Sequence, residues 1–445
     1  MMSGNDTQRR NAEKGKGSPT VSRCLRDGAL IELVYDADQS RTGFAVWAAN
    51  HWSVTSEYEV DGERLIPFSP KNNLIRTEAV LLPSEPREYG TEARLLLEIR
   101  SFIHRHVDLS ATFEQLAAYY VLFSWLYDAF NDLPYLRLRG DYGTGKTRAL
   151  LTIGSLCYKS FFASGASTVS PIFHTLDAFQ GTLVFDEADF RFSDERSEIV
   201  KILNNGNVRG LPVLRTMQNQ QREFNPRAFR VFGPKLVATR GRYEDKGLES
   251  RFLTEEMGGR SLRSDIPINL PERFKEEALQ LRNKLLLFRF RKRASTKLDG
   301  TLADPSLEPR GNQILLPLLS IVTSDELRSD LLAAARESQA MSAAERGTSI
   351  EGQILEILVK LMSAADRAAI PIADVASLLM ERYGTEYSRP ITNRWIGSIL
   401  RGRLNLHTYK SHGVFVVPMS EHSKVLHQCV RYGIPTEPMV EGELE

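Results

Sequence analysis

The residues with the clearest chemistry are Gly140-Asp141-Tyr142-Gly143-Thr144-Gly145-Lys146-Thr147. Glycines at these spacings let successive backbone N–H groups turn inward around phosphate oxygens, Lys146 offers a point charge to the β and γ phosphates, and Thr147 offers a hydroxyl to Mg²⁺. Some forty residues on, Gly181-Thr-Leu-Val-Phe-Asp186-Glu187-Ala-Asp189 is an apolar run that ends in carboxylates. Asp186 is placed to hold the metal ion, Glu187 to orient and polarise an attacking water, and Asp189 reads as a cap or surface acid. Together these residues specify binding of ATP with Mg²⁺, followed by its hydrolysis.

Such a loop works only if a strand delivers it and a helix carries it away. Pro134-Tyr-Leu-Arg-Leu-Arg139 supplies the strand, and the segment from Arg148 supplies the helix. Short β-rich runs alternate with helical ones from Leu133 to about Arg240, the pattern of a parallel α/β sheet. Two amphipathic helices lead into it, with Leu95, Ile99, Phe102 and Ile103 on one and Phe113, Leu116, Tyr120 and Phe123 on the other.

Over roughly Phe113 to Ala335 the chain resembles AAA+ proteins, in particular helicase-type ATPases of phage, plasmid and mobile-element replication, related to superfamily 3 and minichromosome maintenance helicases. The resemblance is carried by Pro134-Tyr-Leu before the loop, Ser170-Pro-Ile-Phe-His-Thr-Leu before the acidic strand and Lys201-Ile-Leu-Asn-Asn-Gly-Asn-Val-Arg-Gly after it. It implies that Phe232-Gly-Pro-Lys-Leu-Val-Ala-Thr239 ends in a γ-phosphate-sensing residue, Thr239, where relatives often have Asn. Gly247-Leu-Glu-Ser-Arg251 resembles the segment of an arginine finger, worth roughly 10³ to 10⁵ in rate when supplied to a neighbouring subunit's nucleotide. A finger in trans implies a ring, by resemblance a hexamer. Glu308-Pro-Arg310-Gly-Asn resembles the start of a lid helix with a second phosphate-sensing arginine, so Arg310 is the candidate, in competition with Arg240, Arg242 and Arg260.

DNA is the expected partner. Leu211 to Phe232 reads as two β-like runs around a polar turn, which in the helicase branch is a pore hairpin; Arg209, Arg215 and Arg222 are the candidate phosphate-binding residues. Three helical patterns (350 to 363, 371 to 383, 392 to 404) precede Tyr409-Lys-Ser-His-Gly-Val-Phe-Val-Val-Pro418, the plan of a winged helix. Arg394, Arg401 and Lys410 are its candidate DNA-binding residues, with Arg389, Asn393 and Arg403 nearby. Phe288-Arg-Phe-Arg-Lys-Arg293 continues an amphipathic helix and reads as core with a basic end.

Bulk properties fit this frame. The 445 residues allow two to four domains. With 57 Lys plus Arg against 56 Asp plus Glu, the net charge of +1 gives no global pull toward nucleic acid or membrane, so any DNA site must be local. Cys24, Cys157 and Cys429 form no disulfide framework or zinc spacing, and His407, His412, His422, His427 and Cys429 match no metal pattern. No signal peptide or membrane-length apolar run is visible, which points to a reducing cytoplasm.

The expected architecture is an α/β AAA+ core with a helical lid, a small β-rich N-terminal module and a C-terminal winged helix. The boundaries are a flexible tail (1–28), the β module with an Asp61-Gly62 hairpin (29–85), the ATPase core (86–260), the lid (261–340), the winged helix (341–432) and an acidic tail (433–445). The function expected is an oligomeric DNA helicase or translocase, with a primase or initiator as possible partner. The alternative is an ATP-controlled DNA-binding initiator, remodelling or defence ATPase that separates no strands.

Overall fold

The computed structural model describes residues 17–186, 194–218, 224–259, 262–364, 367–384 and 391–436. Glu187, Asp189, Arg222, Arg260 and Arg389 lie outside the described residues. The chain divides into two compact units, residues 1–305 with 309–330, and residues 306–308 with 331–445.

The first unit begins with seven short strands: β1 (Ser18–Thr20), β2 (Ser22–Cys24), β3 (Leu30–Asp36), β4 (Arg41–Ala48), β5 (His51–Thr55), β6 (Tyr58–Val60) and β7 (Glu63–Pro67). β2-β3-β4-β5 form an antiparallel sheet and β1-β7-β6 a smaller one. Asp61 and Gly62 make the turn between β6 and β7, both at positive φ (52° and 75°), which matches the twist of the flanking strands. The expectation of a flexible tail as far as Gly28 is corrected: β1 and β2 fall within it. β1 pairs with β7 across more than forty residues, a partnership that local composition does not reveal.

Two helices follow, α1 (Glu92–His106) and α2 (Ala111–Leu126). Thr91 and Ser110 cap them by accepting from the N–H groups of Arg94 and Phe113. Nearly every side of α2 is buried, so it is a core helix rather than a surface one.

The central sheet contains β8 (Tyr135–Arg139), β9 (Phe161–Ser164), β10 (Leu183–Asp186), β13 (Lys235–Thr239) and β14 (Phe252–Glu256). Its order is β14-β8-β13-β10-β9 and all its pairs are parallel. Numbered along the chain within the sheet, that order is 5-1-4-3-2. The helices between and around these strands are α3 (Lys146–Gly154), α4 (Val169–Phe179), α5 (Asp194–Asn205) and the one-turn α6 (Lys246–Glu249). β11 (Val213–Gln218) and β12 (Phe224–Phe229) form a separate antiparallel hairpin before β13. α7 (Phe274–Lys292) and α8 (Pro309–Leu319) complete the unit, and α9 (Asp325–Gly347) runs on into the second.

The second unit has α10 (Ile350–Ala364), β15 (Ala369–Pro371), α11 (Ile372–Tyr383), α12 (Asn393–Gly402), β16 (Tyr409–Ser411), β17 (Val414–Pro418) and α13 (His422–Arg431). Its antiparallel sheet has the order β15-β17-β16. Ile354, Leu358, Val375, Leu379, Ile396, Leu400 and Val417 form its core. Among the described residues no helix is long and apolar enough to cross a membrane.

Candidate active site

β8 ends at Arg139, and the chain turns through the glycine loop before α3 begins at Lys146. Gly145 stands at the start of α3 with φ 89°, a left-handed conformation that a side chain would strain. Gly140 is required for a different reason: a Cβ there would lie 2.5 Å from the Met257 carbonyl oxygen. The loop is held from within, since Thr144 Oγ1 donates to the Asp141 carbonyl at 2.8 Å and the Tyr142 N–H to Asp141 Oδ1 at 2.7 Å. Lys146 Nζ donates to the carbonyls of Gly140 (2.7 Å) and Asp141 (2.6 Å), so the ammonium sits at the loop's own mouth.

Thr147 and Asp186 come together from two elements. The Thr147 hydroxyl donates to Asp186 Oδ2 at 2.6 Å, from the first turn of α3 to the end of β10. This oxygen pair is the donor type that Mg²⁺ prefers, and the N–H-lined loop beside Lys146 suits the phosphates. Thr239 ends the adjacent strand, in register with Arg139, and its carbonyl accepts from the Gly140 N–H at 3.2 Å. Its hydroxyl is buried and makes no hydrogen bond among the described residues. A buried orphan hydroxyl next to a phosphate-type loop fits a group that completes its bonding only when a ligand arrives.

Arg251 and Arg310 form a second cluster away from this loop. β14 runs parallel to β8 with Phe252 opposite Tyr135, and the Tyr135 N–H donates to the Arg251 carbonyl at 2.9 Å. Arg251 therefore lies at the end of the sheet opposite the loop, separated by a five-residue strand on the order of 15 Å long. Its guanidinium donates to Asn204 Oδ1, and Asn204 Nδ2 donates to Asp245 Oδ2 at 3.0 Å. Partial burial holds the Arg251 pKa below its ordinary value, and the nearby Arg310 pushes the same way. Arg310 donates to Ser250 Oγ (2.9 Å) and to the Gly247 carbonyl (2.6 Å). The expected place for Arg310, facing the phosphates of its own loop, is thus not the one it occupies. The first turn of α8 lays it against the carbonyl end of α6, where a cation is favoured.

The sequence pattern did not single out Arg137. It is buried in the middle of β8, pairs with both carboxylate oxygens of Glu249 (2.6 and 2.5 Å) and donates to Thr254 Oγ1 at 3.0 Å. Burial works to raise the Glu249 carboxyl, but Arg137 outweighs it and holds the group below its usual range. The signal was available: an arginine between two leucines of a short central strand needs a buried partner.

No family model matches the chain. No curated protein matches it either. Solved structures do. The apo form of the NrS-1 C-terminal region is 12% identical at a TM-score of 0.37, covering 87% of this chain and 96% of its own. SCCmec type IV Cch, described as an active helicase, is 10% identical at 0.39, covering 92% and 80%. JCV helicase is 12% identical at 0.24, covering 60% and 64%. At TM-scores below 0.5 these likenesses carry no weight for function.

The basic residues expected on DNA fare differently from one another. Arg209 donates to the carbonyls of Asp128 (2.7 Å) and Phe130 (2.9 and 3.2 Å) and lies over the Phe232 ring, so its guanidinium is a brace within the fold. Arg215 lies on the hairpin but pairs with Glu198 and stacks on Phe173. These two placements correct the expectation that both are free to grip phosphates. Arg222 lies outside the described residues. In the second unit Arg394 and Lys410 are exposed and have no ion pair among the described residues. Arg401 is exposed too, donating to Thr408 Oγ1 at 3.1 Å and lying over Phe415.

Proposed function

We propose that this chain is an AAA+ P-loop ATPase that acts on DNA as an oligomeric helicase or translocase of the mobile-element or phage replication type. The observation that carries the ATPase reading is the meeting of Lys146, Thr147 and Asp186 at the carboxyl ends of β8 and β10, in a parallel sheet of order 5-1-4-3-2. Lys146 and the loop N–H groups would hold the β and γ phosphates, and Thr147 with Asp186 the Mg²⁺. The ion, when bound, neutralises charge on the transferring phosphoryl group. Thr239 would report the γ-phosphate through its orphan hydroxyl, and Glu187, next after Asp186, would hold the attacking water.

Arg251 lies at the far end of its own sheet, which supports a role at a neighbour's nucleotide and hence a ring, by resemblance a hexamer. The second unit supports a winged-helix reading through its order of three helices, wing strands and a His412-Gly413 turn with both φ positive (47° and 88°). Arg394, Arg401 and Lys410 would bind its DNA, and the strands of 29–85 would form a small module joined to the ATPase core.

The test is ATP turnover by the purified chain with and without single-stranded DNA, beside Lys146→Ala and Glu187→Gln and with a forked duplex to follow unwinding. DNA-stimulated turnover with strand separation, abolished in both variants, is the expected result. Turnover that needs Lys146 but ignores DNA would leave the non-unwinding ATPase switch in its place.

A further inference from the structure

Helices α1 and α7 meet closely where Phe102 and His106 of α1 pack on Phe274, with ring centroids 5.1 and 5.0 Å apart. Farther along, toward the start of α1, the seam opens into a groove of about 420 Å³. Leu97, Ser101 and Arg105 line it from α1, at spacings that place them on one helical stripe, and Gln280 and Leu281 line it from α7. Ser101, short and polar, stands midway along the stripe, where a larger side chain would fill the space. Leu97 is 65% exposed, whereas Leu95, Ile99 and Ile103 of the same helix are buried. α1 thus carries a leucine that the packing of its own unit does not bury.

Two carboxylates line the groove, and each is met by two cations. Glu98 pairs with Arg94 Nε at 3.2 Å and Lys284 Nζ at 2.5 Å; Glu277 pairs with Arg105 Nη2 at 2.9 Å and Arg273 Nε at 3.0 Å. Cations are therefore in excess at this rim, and they are the groups turned outward. The side chains of Arg94 and Arg273 are 72% and 73% exposed, those of Glu98 and Glu277 28% and 27%. Arg94 and Arg273 pair through Nε, which leaves their terminal N–H groups for a second carboxylate. An aliphatic floor under a cationic rim is complementary to a chain segment that sets one large apolar side chain among carboxylates. Nucleic acid is the poorer match, because Phe102 is buried and shows no aromatic face on which a base would stack.

We propose that the groove between α1 and α7 is a docking site for an acidic segment of a partner protein, whose apolar side chain rests on Leu97 and Leu281 while its carboxylates reach Arg94 and Arg105. The site lies within the first unit and does not depend on the nucleotide reading. Burial of Leu97 against the incoming side chain drives the contact, and the cations orient the segment and make its affinity sensitive to salt. A contact of this size fits a short segment and a transient complex.

The test uses the full chain and a fluorescein-labelled peptide in which glutamates flank a central leucine, with binding followed by anisotropy. Saturable binding is expected, weakened on the order of tenfold by Leu97→Ser, by Arg94→Glu, or by a serine in place of the peptide's leucine. Affinity is expected to fall with salt more steeply for the unsubstituted chain than for Arg94→Glu. Both substituted side chains are exposed, so the thermal midpoints of the variants are expected to stay near that of the unsubstituted chain. Binding that is absent up to millimolar peptide, or indifferent to both substitutions, overturns the proposal. If labelled single-stranded DNA takes the peptide's place, weakened by Arg94→Glu and untouched by Leu97→Ser, the groove is a nucleic-acid surface instead. If sedimentation without peptide shows an assembly that Leu97→Ser dissolves, the occupant is a second copy of this chain and the partner assignment falls.

Discussion

Arg209 and Arg394 carry the same charge into different surroundings. Arg209 makes three bonds to backbone carbonyls that close the segment after α2, while the Arg394 side chain stands in solvent on α12 without an ion pair among the described residues. A charge-assisted bond to a backbone carbonyl contributes to stability, and truncation should cost about 1–3 kcal/mol. A solvated arginine on a DNA face contributes to affinity, and removing one phosphate-binding cation should reduce the slope of log K against log salt by about 0.7–0.9. Urea denaturation and fluorescence anisotropy with labelled DNA separate the two. Arg209→Ala is expected to lower stability while leaving the salt slope alone, and Arg394→Ala to do the reverse. An unchanged denaturation midpoint for Arg209→Ala, with weaker DNA binding, would return that residue to the DNA surface.

At the scale of elements, α5 connects the two clusters. It follows the acidic strand β10 and carries in its last turn Asn204, whose amide oxygen accepts from Arg251 and whose nitrogen reaches Asp245 at the start of α6. Asn204 is thus a positioning residue for Arg251, and the helix joins the strand that carries Asp186 to the far edge of the sheet. If Arg251 serves a neighbour, two inactive variants should repair one another. Lys146→Ala retains a good Arg251, Arg251→Ala retains a good loop, and a mixed ring contains interfaces where both are intact. Mixing the variants is expected to restore a measurable fraction of ATP turnover, with a maximum near equal proportions. Activity that never exceeds either variant alone would argue that Arg251 works elsewhere. The parts of this site that were legible in the sequence are those written locally: glycine spacing, Lys146-Thr147, and an apolar run closing on Asp186. Arg209, Arg215 and Arg310 were misplaced because a cation's partner is chosen by tertiary packing, and nothing in the neighbouring residues shows whether a carbonyl, a carboxylate or solvent will meet it. The same limit hid Arg137, whose partner Glu249 lies more than a hundred residues away.

Across the first unit as a whole, a buried ionic knot joins segments that composition alone would assign to separate domains. Glu32 on β3 takes Lys159 Nζ at 2.7 Å and Arg289 Nε at 2.7 Å; Arg289 on α7 also pairs with both oxygens of Asp128 (2.8 and 2.9 Å), which Arg293 supports at 2.8 Å. The knot thus ties the N-terminal sheet, the end of α2, the turn after α3 and the long helix α7 into one unit. Removing one member of such a group strands the others, so Arg289→Met should cost about 3–5 kcal/mol at neutral pH although methionine fills much of the volume. The pH dependence tests the cause. Burial works to raise the Asp128 carboxyl, but Arg289 and Arg293 outweigh it and hold the group at about 2, below its ordinary 3.8. A depressed carboxylate contributes stability that is present above the unfolded value and is lost as pH falls from about 4 toward 2. Without Arg289 that carboxyl titrates at higher pH and the contribution shrinks. The difference in unfolding free energy between the two proteins is therefore expected to be large at pH 6 and to narrow steadily below about pH 4. Lys159, lowered to about 8 mainly by burial, stays charged across that window and does not confuse the comparison. A difference that stays constant from pH 6 to pH 3 would mean that Arg289 holds the unit together by packing and not by its charge.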